Sequence, residues 1–406
     1  MKIFKFILLS IVVLFSSCKK EERALKPIAN FSTLIIEFGE VTFRNKSLNA
    51  TEYLWDFGDG NTSTEKDPIH SYLEIGNYTV TLTASDGTQS DRFNLLVAIG
   101  QVFPENLMQL ASPPFGQRAE SFYFTHNGKG YVGGGYRLAP FFENLTDFWE
   151  FDPTSKEWIL LNNQLPENFR NSVAYVANNS AYFGLGTVSD YSIYEYDFTN
   201  NAANLSSSLP ISFQDKGPYN DATVFVHNDI PYFYGIGDYE FSSFDKTIWK
   251  YSVTDNQWNP IGDYQGKGLS GVFHFLLDDK LIIGMGINYF DYVNQKDIWE
   301  YDLTNDTWTQ KNDFPGGKRN NGISFTYNGE GYFGFGQGND TTTNAQIFFS
   351  DLWKYHPTND SWEKIEDFPV NSKSNIYAFL IENTLYFGGG QGPNFQLTNS
   401  FFEYKF

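Results

Sequence analysis

Six cations recur along the chain about fifty residues apart: Arg118, Arg170, Lys216, Lys267, Arg319 and Lys373. Each stands just ahead of a short stretch in which apolar and polar residues alternate, so each is delivered to the same point of a repeating unit. Gathered at one opening of an acidic chain, six such charges would steer anions. Set against backbone junctions instead, they would satisfy carbonyl oxygens, because guanidinium and ammonium groups only donate. The residue types allow both roles. Other chemistry is thinly supplied. The five histidines (His70, His126, His227, His274 and His356) are scattered, and His126 and His227 fall in hairpin turns. Copper and zinc centres draw on several histidines together. No metal site, catalytic constellation or cofactor motif emerges.

The unit that positions these cations is written repeatedly. DIWEYDLTNDTW begins at Asp297, DLWKYHPTNDSW at Asp351, DFWEFDPTSKEW at Asp147 and TIWKYSVTDNQW at Thr247, with weaker copies from Ser192 and Ser400. Ahead of each lies a strand ending in glycines, such as GYFGFG to Gly336, and ahead of that another strand, set off in two units by an Asn-Gly hairpin signal, as in ISFTYNGEGYFGFG. The spacing predicts four-stranded antiparallel meanders with a period near fifty, the mark of a repeat array. The final copy holds only three strands. ENLMQLASPPFGQRAESF aligns with NDTWTQKNDFPGGKRNNGISF and sets Met108 where Trp308 stands, so residues near 105–111 are expected to complete the last sheet. That closure would remove an exposed edge.

A meander separates two faces. The first-to-second and third-to-fourth turns are short, as in HNGKG and DLTND. The second-to-third loops are long and aromatic, as in YRLAPFFENLT, DYEFSSFDKT and INYFDYVNQK, and they share a face with the crossings that carry the cations. Loop length beyond structural need marks the binding face. Its candidate ligand-binding residues are the six cations together with Phe142, Tyr239 and Tyr289, whose rings suit sugars.

The 406 residues are 41% hydrophobic and 18% aromatic, with 35 glycines, which favours packed strands over helices. A net charge of −20 with no basic stripe excludes a nucleic-acid footprint. At the start, Lys2 and Lys5 precede an apolar run from Phe6 to Phe15. That run is far short of the roughly 20 residues a spanning helix needs, and reads as a signal peptide. Cys18, the only cysteine, follows Ser16 and Ser17.

This start resembles the lipobox of bacterial lipoproteins, with Phe15 in place of the commoner Leu. The resemblance implies acylation at Cys18 and membrane attachment through that lipid, leaving no thiol for a disulfide or nucleophile. The charged Lys19–Glu22 looks like the surface-export signal of Bacteroidetes-type lipoproteins, implying an outer-membrane protein exposed at the cell surface. WDFGDG from Trp55, followed by His70, Tyr72 and Tyr78, is similar to the PKD domain, an immunoglobulin-like β-sandwich. In it Trp55 and Tyr78 are expected in the core, with Asp56 and Asp59 bonding the turn's own amides. The glycine-ended strands and Trp lines resemble kelch repeats, which implies a six-bladed β-propeller. The expected organisation is all-β: residues 1–17 signal peptide, 18–26 tether, 27–100 PKD-like sandwich and 101–406 propeller. Cys18 excludes a site like that of galactose oxidase, whose cross-linked cysteine has no counterpart here, and the sialidase Asp-box is missing. The function expected is non-catalytic binding of a glycan or partner protein. The alternative is a kelch-type epimerase or mutarotase acting on an acidic sugar such as sialic acid, which would need an arginine clamp.

Overall fold

The computed structural model describes residues 26–35, 40–72, 76–99, 106–138, 141–162, 164–186, 192–208, 222–234, 237–238, 243–244, 246–252, 254–255, 257–267, 270–288, 292–340, 345–368, 370 and 373–406. Cys18, Lys216, Tyr239 and Tyr289 lie outside these residues. The described chain is strand throughout, apart from one short 3-10 turn at Pro393–Phe395.

The N-terminal module consists of two antiparallel sheets. One joins Phe31–Ile35, Glu40–Asn45 and Ile69–Ser71; the other joins Thr62–Ser63, Glu52–Asp56, Gly76–Ser85 and Ser90–Ile99. Alternation decides what is buried: Phe93, Leu95, Val97 and Ile99 point inward from a strand whose intervening residues face out. Trp55 is fully buried against Phe31, ring centroids 4.8 Å apart, and its indole N–H reaches Glu65 O at 2.8 Å. Tyr78 differs from expectation. It lies on the same face as the buried Val80, Leu82 and Ala84 and packs against the core, but near the strand's start it is only partly buried and stacks on Tyr72 at 4.2 Å. The WDFGDG turn closes on itself: Asp56 accepts Gly58 N and Asp59 accepts Asn61 N, both at 3.0 Å, and Asp59 also meets His70 Nε2 at 2.7 Å.

Six four-stranded antiparallel sheets follow. The first four-strand meander is Phe122–His126, Lys129–Gly133, Phe148–Asp152 and Glu157–Asn162, and four more repeat its plan through Asp367. The sixth comprises Tyr377–Ile381, Thr384–Gly388, Phe401–Lys405 and, from far upstream, Leu107–Leu110, with Phe401 opposite Leu110 and Tyr404 opposite Leu107. Each first strand packs beside the first strand of the next sheet, and the sixth sheet's first strand packs beside Phe122–His126. Six apolar cores accordingly fill the spaces between consecutive sheets. Phe122 stacks on Phe183 at 4.5 Å between the first and second sheets, and Trp158 meets Phe379 at 6.2 Å between the first and sixth. Each such ring buries a large apolar area between sheets.

The approach of neighbouring backbones explains the glycine signature. Gly134 has φ +61° and a Cβ there would lie 2.0 Å from Phe169 O on the crossing to the second sheet. Ahead of the first strands the chain turns through the left-handed region again at Glu120, Asn171, Gly271, Asn321 and Asn375. These turns link by backbone bonds: Asn171 N to Glu120 O at 3.0 Å, Asn321 N to Gly271 O at 3.3 Å and Asn375 N to Asn321 O at 3.0 Å.

The module meets the sixth sheet at Pro113. Its carbonyl accepts Asn30 Nδ2 from the module and Asn399 Nδ2 from the sixth sheet, both at 3.0 Å.

Candidate functional site

The Trp line carries an Asp two residues earlier in three sheets, and that Asp organises the cations. Asp147, Asp297 and Asp351 accept the indole N–H of Trp149, Trp299 and Trp353 at 2.7, 3.0 and 2.8 Å. In the first sheet Asp147 also accepts Arg118 Nη2 at 2.7 Å, while Nη1 reaches Gly134 O at 3.2 Å and the guanidinium lies 4.0 Å over Phe115. In the fifth, Arg319 grips Asp351 with both terminal nitrogens, gives Nε to Gly317 O at 3.0 Å and lies 3.4 Å over Phe349. Burial pushes the Asp351 carboxyl up, but the bond and charge of Arg319 outweigh it and hold it below the usual range. Arg118 is 0% and Arg319 1% exposed. Both sit at sheet junctions.

The remaining cations diverge. Arg170 is half-buried, pairs with Glu120, and lies over the rings of Tyr136 and Phe142 at 4.6 and 5.4 Å. Lys267 is exposed, although its backbone N–H reaches Asp297 Oδ2 at 3.1 Å. Lys373 is buried without a carboxylate: Ser400 occupies the place of Asp351, and Nζ donates to its hydroxyl at 2.5 Å. The small cavity at the inner-strand starts, about 160 Å³, is lined by Glu120, Asn171, Thr223, Gly271, Asn321 and Asn375 and by none of the five described cations. The charges are not gathered there, because the buried side chains turn sideways into the junctions.

Burial pulls the Lys373 ammonium down to about 7. Between that value and the ordinary 10.5 the unfolded chain holds a proton that the folded chain lacks, so stability from this group rises with pH across the window. Lys373→Met should therefore stabilise the protein at pH 7, by on the order of 4 kcal/mol. That advantage should shrink steadily toward pH 10. Urea titrations of both proteins at several pH values measure it; a gap independent of pH would show that Lys373 is not a buried amine.

The two faces of the sheets differ. On the short-turn face, Asp152, Asp197 and Asp302 cap their turns by accepting the amides of Thr154, Thr199 and Thr304 at 2.8, 2.8 and 2.9 Å. On the other, two-stranded ribbons rise from the long loops, including Tyr136–Arg137 with Glu143–Asn144 and Gln337–Asn339 with Gln346–Phe348. Every exposed aromatic side chain among the described residues lies in these loops: Phe141, Phe142, Tyr292 and Phe395. Phe142, 54% exposed, stacks on Tyr136 at 5.5 Å. Phe141 and Tyr292 stand in loops marked by their length, whereas Phe395 sits in the GPNFQLTNS loop, whose Pro-Asn turn signal was the available cue.

Residues 27–95 match the PKD domain family. The pre-pro-metalloprotease PrtV of Vibrio cholerae is 46% identical over 66 residues, covering 15% of this chain and 7% of that protein. The collagenase ColA of Bacillus cereus is 47% identical over 51 residues, covering 13% of this chain and 5% of that protein. The chain thus spans less than a tenth of these curated relatives, and what is shared is the two-sheet sandwich around Trp55, a PKD domain.

Proposed function

We propose that this chain is a non-catalytic, lipid-anchored surface protein of the outer membrane that binds a glycan or partner protein through the long-loop face of a six-bladed, kelch-type propeller. The propeller reading is supported by the cyclic neighbours of the first strands, the six inter-sheet cores and the glycine-ended strands at a period near fifty. One observation carries the binding role: among the described residues the exposed aromatics lie on that face alone. Rings held in water cost free energy to expose, and their restriction to one face favours that face for recognition. An acidic-sugar enzyme needs an open arginine clamp; Arg118 and Arg319 are committed to Asp147 and Asp351, which weighs toward binding.

A glycan array probed with the soluble chain from Arg23 onward tests this reading. Changing Phe141, Phe142, Tyr292 and Phe395 together to Ala should weaken binding at least tenfold, about 1.4 kcal/mol or more. Melting should hold nearly constant, because the side chains are exposed. Undiminished binding would place the site elsewhere. The anchor is separately testable: Cys18→Ser should move the protein from the membrane fraction to the soluble one.

A further inference from the structure

We infer that the cleft between the PKD module and the sixth sheet is a subsite for a neutral sugar chain. This rests on the glycan reading of the long-loop face, to which the Gly389–Ser400 loop belongs, and gives that reading a place and a ligand class. The cleft encloses about 590 Å³, within the range of small-molecule sites. One wall is the outward face of Gly76–Ser85 and Ser90–Ile99, presenting Asn77 and Asn94; the other is formed by Gln109, Gln117 and the loop bearing Phe395 and Gln396.

The lining has a consistent chemistry. None of its described lining side chains is charged, in a chain where 19% of residues are. Asn77, Asn94, Gln109, Gln117 and Gln396 have no side-chain hydrogen-bond partner among the described residues. An amide both donates and accepts, which matches neighbouring sugar hydroxyls that do the same. A charged chain would find no counter-ion among the described lining side chains, which offer it less compensation for lost water than they offer a neutral one.

The site is also built and held. Phe395 is 67% exposed, and both it and Asn394 adopt left-handed backbone, at φ 59° and 56°. Two consecutive non-glycine residues there are strained and persist only where surroundings fix them. The bonds Gly392 N to Gln396 O at 2.8 Å and Gln396 N to Pro393 O at 3.2 Å do so, presenting the ring as a fixed platform. At the base, Asn399 is 2% exposed and its Oδ1 has no partner among the described residues, while its Nδ2 is tied to Pro113 O. The same carbonyl holds Asn30, so both walls are fixed to one atom before a ligand arrives. Such pre-organisation lowers the cost of binding.

The test uses the soluble chain from Arg23 onward and a panel of neutral hexasaccharides (gluco-, xylo-, manno- and N-acetylglucosamine-based), measured by calorimetry. At least one should bind, with an affinity unchanged between 50 and 500 mM salt. Phe395→Ala should lower it tenfold or more, and so should Asn77→Ala with Asn94→Ala on the opposite wall. Ile159→Ala, an exposed change on the outer strand of the first sheet, should leave it unaltered, and melting temperatures should stay within a degree or two. If the four-ring variant loses a glycan that Phe395→Ala and the Asn pair retain, the cleft is overturned and the face reading stands. Salt-sensitive binding of anionic sugars alone would overturn the neutral class, and binding of a protein or peptide with no glycan would overturn the subsite.

Discussion

Deleting Leu107–Leu110 should lower the melting temperature of the six-sheet array by roughly 10 °C, while leaving the PKD module's own unfolding in place. The strand gives Phe401–Lys405 its outer partner, and Leu107 is 4% exposed in the core shared with Leu385 and Tyr404. Losing a buried Leu costs about 2–4 kcal/mol, and the orphaned ladder bonds about 1 kcal/mol each. An edge is opened as well, so aggregation on heating should rise. Calorimetry with circular dichroism reads both effects. An unchanged transition would mean that this strand adds nothing to the sixth sheet.

Arg319→Ala should cost about 3–5 kcal/mol in urea unfolding, because it strands the Asp351 carboxylate in a buried junction. The companion Arg319→Met with Asp351→Leu should recover much of that loss, since it removes both charges and keeps apolar volume. The pH dependence has a definite sign. In the native protein the depressed Asp351 carboxyl contributes stability above its unfolded value near 3.8, and that contribution fades as pH falls through the lower folded value. In the Ala variant the unpaired carboxylate is relieved by protonation. The stability gap between the two proteins should therefore narrow as pH drops from 7 to 4. A variant with native stability at neutral pH and altered ligand affinity would assign Arg319 to recognition instead.

Much of this architecture was legible because repetition amplifies weak signals. One WxY line predicts little, but the copies from Asp147, Asp297 and Asp351 fixed the strand order of a whole unit, and the truncated copy at Ser400 pointed to a missing strand. That strand is Leu107–Leu110, and Met108, aligned with Trp308, is 49% exposed there. The fates of the cations were harder to read. Their spacing is uniform, yet what each touches depends on the residue two before the Trp or its counterpart, which varies: Asp147 and Asp351 seal an arginine, whereas Ser400 leaves Lys373 with a hydroxyl. That cue was present as D-x-W and concerned junctions rather than openings. The cleft was not legible at all. Asn77 and Gln396 become neighbours of one space only through the docking of two modules at Pro113, a relation that no local pattern encodes.

The sixth sheet has a consequence in time. Asn106 Nδ2 donates to Lys405 O at 3.2 Å across 299 residues of chain. Pairing those ends from a disordered chain would cost about 5 kcal/mol in closure entropy, so the pairing gains nothing until the intervening sheets have stacked and brought the ends together. During synthesis Leu107–Leu110 emerges hundreds of residues before its partner and must stay uncommitted, and its two apolar leucines are a brief aggregation hazard. Assembly is thus expected to finish in a slow final step whose rate follows the order of the other five sheets.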